Sequence, residues 1–193
     1  MSIRDAHARL IGAAVLSVAV AGAFVACAST PDTQAVTNIY IAPNAYPDFH
    51  GSGANKGVLG VLANKCGSLD CHGSMGRSLR IFSQYGLRQV DEAGDVPGGA
   101  PTTDPEIYAD YVSAISVQPE LTSKVFYGLV DPHALLLLRK PLGLERHKGG
   151  QVLQSGDNGD ICLSTWLQDG LVDQSGTPIT LDNNACNTAA QLP

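Results

Sequence analysis

Residues 10–26 form an uncharged run of seventeen, and a cysteine stands directly after it. Arg4 and Arg9 precede the run, with Asp5 between them. A charged start, an apolar stretch and small residues at its end describe a secretory signal, so residues 1–26 read as a leader. The competing reading is an uncleaved membrane anchor, for which seventeen residues sit at the short end of the roughly 17–25 that span a bilayer. Under either reading the rest of the chain folds outside the cytoplasm, where neighbouring thiols oxidise.

The last four positions of this region, Phe24-Val25-Ala26-Cys27, resemble the bacterial lipobox, with Phe24 where leucine is usual. The resemblance implies cleavage before Cys27, acylation of its thiol and attachment to a membrane through that lipid. With Ala28 following, it also implies a place in the cell envelope, on the outer membrane or facing the periplasm. Lipidation would leave four of the five cysteines, and these fall into two local pairs, Cys66/Cys71 and Cys162/Cys186.

Loss of two Arg and one Asp with the leader moves the net charge from −6 to −7. Sequence-independent nucleic-acid binding needs clustered Lys and Arg, so a nucleic-acid partner is not expected. Residues 27–55, with Pro31, Pro43, Pro47, Gly51 and Gly53, read as a tether. Residues 56–193 read as one domain with a core of its own. Val58, Leu59, Val61 and Leu62 have helical spacing and lead straight into Cys66. Thr103-Asp104-Pro105 signals a helix start, and Ile107, Tyr108, Tyr111, Val112 and Ile115 follow at helical spacing. Pro119 breaks this helix, and a further helical piece runs through Leu121 to Leu129. Asp131-Pro132 repeats the cap-then-proline pattern ahead of His133-Ala-Leu-Leu-Leu-Leu-Arg139. A last helix fits residues 159–170, and the tail beyond it is polar. No strand pattern sustains itself. The expected class is mainly α with long irregular loops.

The chemistry-bearing stretch is Cys66-Gly-Ser-Leu-Asp-Cys71-His72-Gly73. Two cysteines followed at once by a histidine suggest covalent haem attachment: two thioethers fix the porphyrin edge, and the adjacent imidazole ligates the iron. At these residues the chain resembles a c-type cytochrome domain. The likeness extends over residues 56–170, through the lead-in helix, the Leu-rich segment ending Arg139-Lys140-Pro141, the His147-Lys-Gly-Gly150 loop and the closing helix with Trp166. Four residues separate the cysteines, where two are common. The resemblance implies one covalent haem c on Cys66 and Cys71, with His72 as proximal ligand.

It also implies a second iron ligand in the position held by His147, flanked by the flexible Gly149-Gly150. Methionine, the usual distal ligand, is not in reach: the only two are Met1 and Met75, and Met75 lies three residues past His72. His133, at a helix start, and His50, in the tether, are the rivals. Two imidazoles would leave the iron no open position and lower its potential relative to methionine. The implied role is an electron carrier with a redox protein partner, rather than a catalyst.

Other readings of the same residues stay open. Cys66 and Cys71 can close a disulfide, leaving a haem-free lipoprotein that serves as an interaction module. Cys66, Cys71, His72 and His147 could also make a zinc set, or the two thiols a redox pair. Cys162 and Cys186 read as a structural disulfide pinning the tail to the last helix. Trp166, Tyr108 and Tyr111 read as core, and Arg77, Arg80 and Arg88 as a solvated face.

Overall fold

The computed structural model describes residues 39–96 and 98–191. The chain divides into two units, Met1–Asn38 and Ile39–Pro193, and the described residues lie in the second. The expected leader, the expected lipidation site Cys27 and the first part of the expected tether therefore lie outside the described residues. Among the described residues no helix is long and apolar enough to cross a membrane.

Seven α-helices and no strand make up the described fold: α1 Ala45–His50, α2 Gly57–Cys66, α3 Asp104–Ile115, α4 Pro119–Phe126, α5 Leu136–Arg139, α6 Asn158–Leu167 and α7 Asn183–Ala189. The expected mainly α class is what the chain adopts. Long irregular stretches remain between helices, the longest from residue 67 to residue 103.

Local chemistry explains most boundaries. Thr103 donates its backbone N–H to Glu106 Oε2 at 2.9 Å and its hydroxyl to the same oxygen at 3.1 Å, closing the entry to α3. Pro119 is the first residue of α4, where its missing N–H costs nothing. Asp157 Oδ1 accepts from Asp160 N at 2.8 Å and caps α6. Asp182 Oδ1 does the same for α7 through Ala185 N at 2.9 Å.

Helix α6 occupies the middle of the core. Its Cys162, Leu163, Trp166 and Leu167 are buried, and Trp166 packs its ring against Phe49 and Phe126 at centroid distances of 5.5 and 6.2 Å. The indole Nε1 donates to Ala45 O at 2.8 Å, which satisfies the one polar group of that side chain. Cys162 and Cys186 are bonded to each other, so α7 is stapled to α6.

Three expectations need correction. The expected tether reached residue 55, but residues 39–55 belong to the folded unit. Ala45 and Phe49 are fully buried, because α1 closes the face of α6 that would otherwise leave Trp166 in water. The polar tail contains helix α7, whose Ala185, Cys186 and Ala189 form a buried stripe of small residues. The Leu-rich segment is not one helix. A 3-10 turn, Pro132–Ala134, precedes α5, and Leu135 between them is extended. Asp131 Oδ1 accepts from His133 N at 2.7 Å and Gln118 Oε1 from Leu136 N at 2.6 Å, so side chains outside the run take up its first donors.

Candidate functional site

Helix α2 delivers Cys66 at its C-terminal end, and the chain then turns back on itself. His72 N donates to Cys66 O at 2.9 Å, and Cys71 N and Gly73 N both donate to Ser68 O, at 3.0 and 2.9 Å. The turn is held from outside as well: Ile81 N donates to His72 O and Leu87 N to Gly73 O, while Ser83 Oγ donates to Gly67 O at 2.7 Å. Glycine is required in this packing. A Cβ on Gly73 or Gly86 would lie 2.0 or 2.1 Å from Gly67 O, closer than any side chain could come.

On the far side, α5 ends at Arg139 and the chain loops out and back through residues 141–153. Pro141 O accepts from both Val152 N and Leu153 N, closing the loop at its base. His147 sits near its tip.

Between these two turns lies a cavity of about 480 Å³ with apolar walls that include Val61, Leu62, Leu79, Leu137, Leu153 and Leu163. Cys66, Cys71, His72 and His147 all line it. The rings of His72 and His147 face each other with centroids 6.0 Å apart and planes inclined by 17°. His72 Nδ1 donates to Leu79 O and His147 Nδ1 to Gly150 O, both at 2.8 Å. A carbonyl oxygen brings no proton, so each Nδ1 carries the hydrogen and each neutral ring keeps its lone pair on Nε2. Burial, together with the neighbouring His147, Arg77 and Lys140, pushes the His72 imidazole below its ordinary range despite the Leu79 bond. It is therefore neutral and able to ligate near pH 7.

Cys66 and Cys71 are free thiols in this arrangement. Cys66 keeps some exposure along the cavity, yet its surroundings are dense enough that burial pushes its thiol up to about 12, with the neighbouring Cys71 adding to the effect. Such a thiol stays protonated and is a slow nucleophile.

The rival histidines point elsewhere. His133 bonds Asp131 Oδ1 at 2.9 Å and Asp160 Oδ1 at 2.7 Å, and His50 lies 3.4 Å from Asp104 Oδ1. Neither lines the cavity. Trp166, Tyr108 and Tyr111 also lie outside it, in or beside the aromatic core. Among the described residues no group of three or more His, Cys, Asp or Glu side chains is placed to hold a metal ion, so the zinc set does not assemble. Of the three arginines read as a solvated face, Arg77 is exposed at the cavity, whereas Arg88 is buried on Glu106 at 2.9 Å. Sequence reasoning missed the charge of the mouth: Lys65, Lys140, Arg146 and Lys148 join Arg77 there. The basic pairs Arg139-Lys140 and Arg146…Lys148 were the only signal of it.

No protein-family model, no curated protein and no solved structure matches this chain.

Proposed function

We propose that this chain is an extracytoplasmic electron carrier that holds one c-type haem in the cavity, with Cys66 and Cys71 as its thioether attachments and His72 and His147 as its axial ligands. One observation carries the reading. Two imidazoles sharing one metal at roughly 2 Å each have ring centres about 6 Å apart, and His72 and His147 stand at 6.0 Å in the cavity that Cys66 and Cys71 also line; from their stacked arrangement the rings would turn edge-on to aim both Nε2 lone pairs at the iron. The fixed tautomers point the same way, since a ligating histidine commonly donates its other N–H to a carbonyl that orients it. The apolar walls suit a flat hydrophobic ring, and the cations at the mouth suit its two carboxylates.

Bound there, the haem supplies an iron that accepts one electron and passes it on. The chain's own groups would do the rest. His72 and His147 would supply the two nitrogen ligands, Leu79 O and Gly150 O would keep the proton on each Nδ1 and leave Nε2 free to ligate, and the leucines would keep water from the site. The low potential expected of two imidazoles follows. Lipidation at Cys27 would hold the carrier on the envelope membrane beside a redox protein.

The test is the full chain produced in a host with haem-attachment machinery. A red protein with a Soret band, whose intact mass includes one covalent haem, is expected. A colourless protein with Cys66 bonded to Cys71 overturns the proposal and leaves the second reading, a haem-free interaction module.

A further inference from the structure

The described chain enters the fold at Ile39, and apolar side chains stay in the open around that entry. Ile39 and Ile41 are 52% and 42% exposed, and Tyr127 and Leu129, just past α4, are 55% and 73% exposed. Tyr40, between the two isoleucines, stacks on Tyr127 with ring centroids 4.1 Å apart, and its backbone N–H donates to Ser123 Oγ at 2.8 Å. The entering segment is thus pinned along α4. Residues 39–41 also line a hollow of about 200 Å³, closed by Ile115 at the end of α3 and Pro119 at the start of α4. None of these side chains lines the cavity that His72 and His147 share.

We propose that this face rests on the lipid surface that holds the acylated N-terminus; the inference depends on the reading of Cys27 as the lipidation site. Twelve peptide links separate Cys27 from Ile39, and fully extended they span only about 40 Å. The face around Ile39 is where that length of chain arrives, so it is the part of the domain nearest the bilayer. An acyl anchor makes the second contact intramolecular, so a few apolar side chains suffice where they could not capture a vesicle from solution.

The residue types fit a bilayer boundary. Tyrosine sets its ring at the headgroup level and its hydroxyl in water, while isoleucine and leucine reach towards the acyl chains. Helix α4 adds the exposed Glu120 and Lys124, whose charges cancel, and that balance suits zwitterionic headgroups. Haem is not required, since the face shares no residue with its cavity.

The test uses the full chain, processed in a bacterial host and reconstituted in phosphatidylcholine vesicles with ordinary or brominated acyl chains. The single native tryptophan, Trp166, is buried and bonded to Ala45 O, so lipid should not quench it. Tyr127→Trp adds an indole on the face. Val90→Trp adds one at an exposed position beside the other end of α3, where Gln89 N donates to Glu106 Oε1. The ratio of emission in brominated to ordinary lipid cancels quenching within the protein. Bromine should remove about half of the added emission of Tyr127→Trp, for a contact buried to the acyl boundary, and none from Val90→Trp. Adding Ile39→Glu and Ile41→Glu to Tyr127→Trp should abolish the quenching. Intact mass reports the acyl groups. An acylated chain whose two indoles quench alike, or whose quenching survives the glutamates, overturns this inference and leaves the anchor standing. A doubled mass in solution without quenching gives the face to a second copy and overturns it too. A chain without acyl groups removes the anchor and this inference together.

Discussion

The carbonyl oxygen of Leu79 accepts the Nδ1 proton of His72 at 2.8 Å, and that bond decides which nitrogen of the ring can act on anything else. Leu79 is itself held in a stretch anchored to α3: Arg80 N donates to Ser113 Oγ at 2.7 Å and Phe82 N to Asp110 Oδ1 at 2.6 Å. The orientation of the imidazole thus depends on a helix that contributes nothing to the cavity wall.

If His147 is the second ligand, removing it opens the iron. His147→Ala should keep its haem on Cys66 and Cys71 but bind carbon monoxide when reduced, with a shift of the Soret band. The unmodified protein should bind none. Equal binding by both would show that His147 never held the position.

Asp110 sets an upper pH limit. Burial pushes its carboxyl up to about 8, with Glu106 one turn away adding to the effect and the Phe82 N–H opposing it, and its Oδ2 has no hydrogen-bond partner. The folded state therefore prefers the protonated acid, so this contribution is complete below about pH 4. It declines as pH rises through about 8. Urea midpoints should fall between pH 5 and pH 9, and Asp110→Asn should flatten that fall. An unchanged slope in the variant would place the titration elsewhere.

Glu106 has the opposite sign. Burial alone would raise it, but Arg88, Thr103 and Gln89 N–H groups outweigh that and hold it down at about 2. Its stabilisation is present above the ordinary glutamate range and is lost as pH falls towards 2. Arg88→Ala would strand this wholly buried carboxylate and should cost about 3–5 kcal/mol at pH 7. Denaturant unfolding measures it, and a loss below about 1 kcal/mol would mean that the pair contributes little.

Opening the Cys162–Cys186 bond releases a loop with a sequence separation of 24. The double variant to serine should lose about 3 kcal/mol. For a chain of this size, thermal melting should move down by roughly 6–12 °C. No shift would show that α7 is held by packing alone.

Phe49 tests where the domain begins. Its ring is fully buried against Tyr111 and Trp166, so Phe49→Ala should cost about 3–5 kcal/mol. A residue in a loose tether would cost nothing, and calorimetry separates the two.

Much of this was legible in the chain as written. The entry to α3 could be read because Thr103, Pro105 and Glu106 act within one turn. The run-in to Cys66 and the closing helix with Trp166 could be read from apolar spacing, and the Cys162/Cys186 pairing from cysteine arithmetic. Helices α1 and α7 could not. Each is short, and Ala45, Phe49, Ala185 and Ala189 become apolar stripes only when α6 lies across them. Proline and glycine near α1 argued for a loop, and burial of Phe49 outweighed them.

The order Cys-Cys-His and the existence of a second histidine between the Leu-rich segment and the last helix are properties of the sequence, because covalent neighbours need no fold to be adjacent. That His72 and His147 meet face to face depends on two turns whose carbonyl partners, Leu79 and Gly150, are chosen by packing. The gathering of Lys65, Arg77, Lys140, Arg146 and Lys148 around one opening is likewise tertiary. Charge acts through space, and a chain with net charge −6 gives no sign in its composition of where its cations will converge.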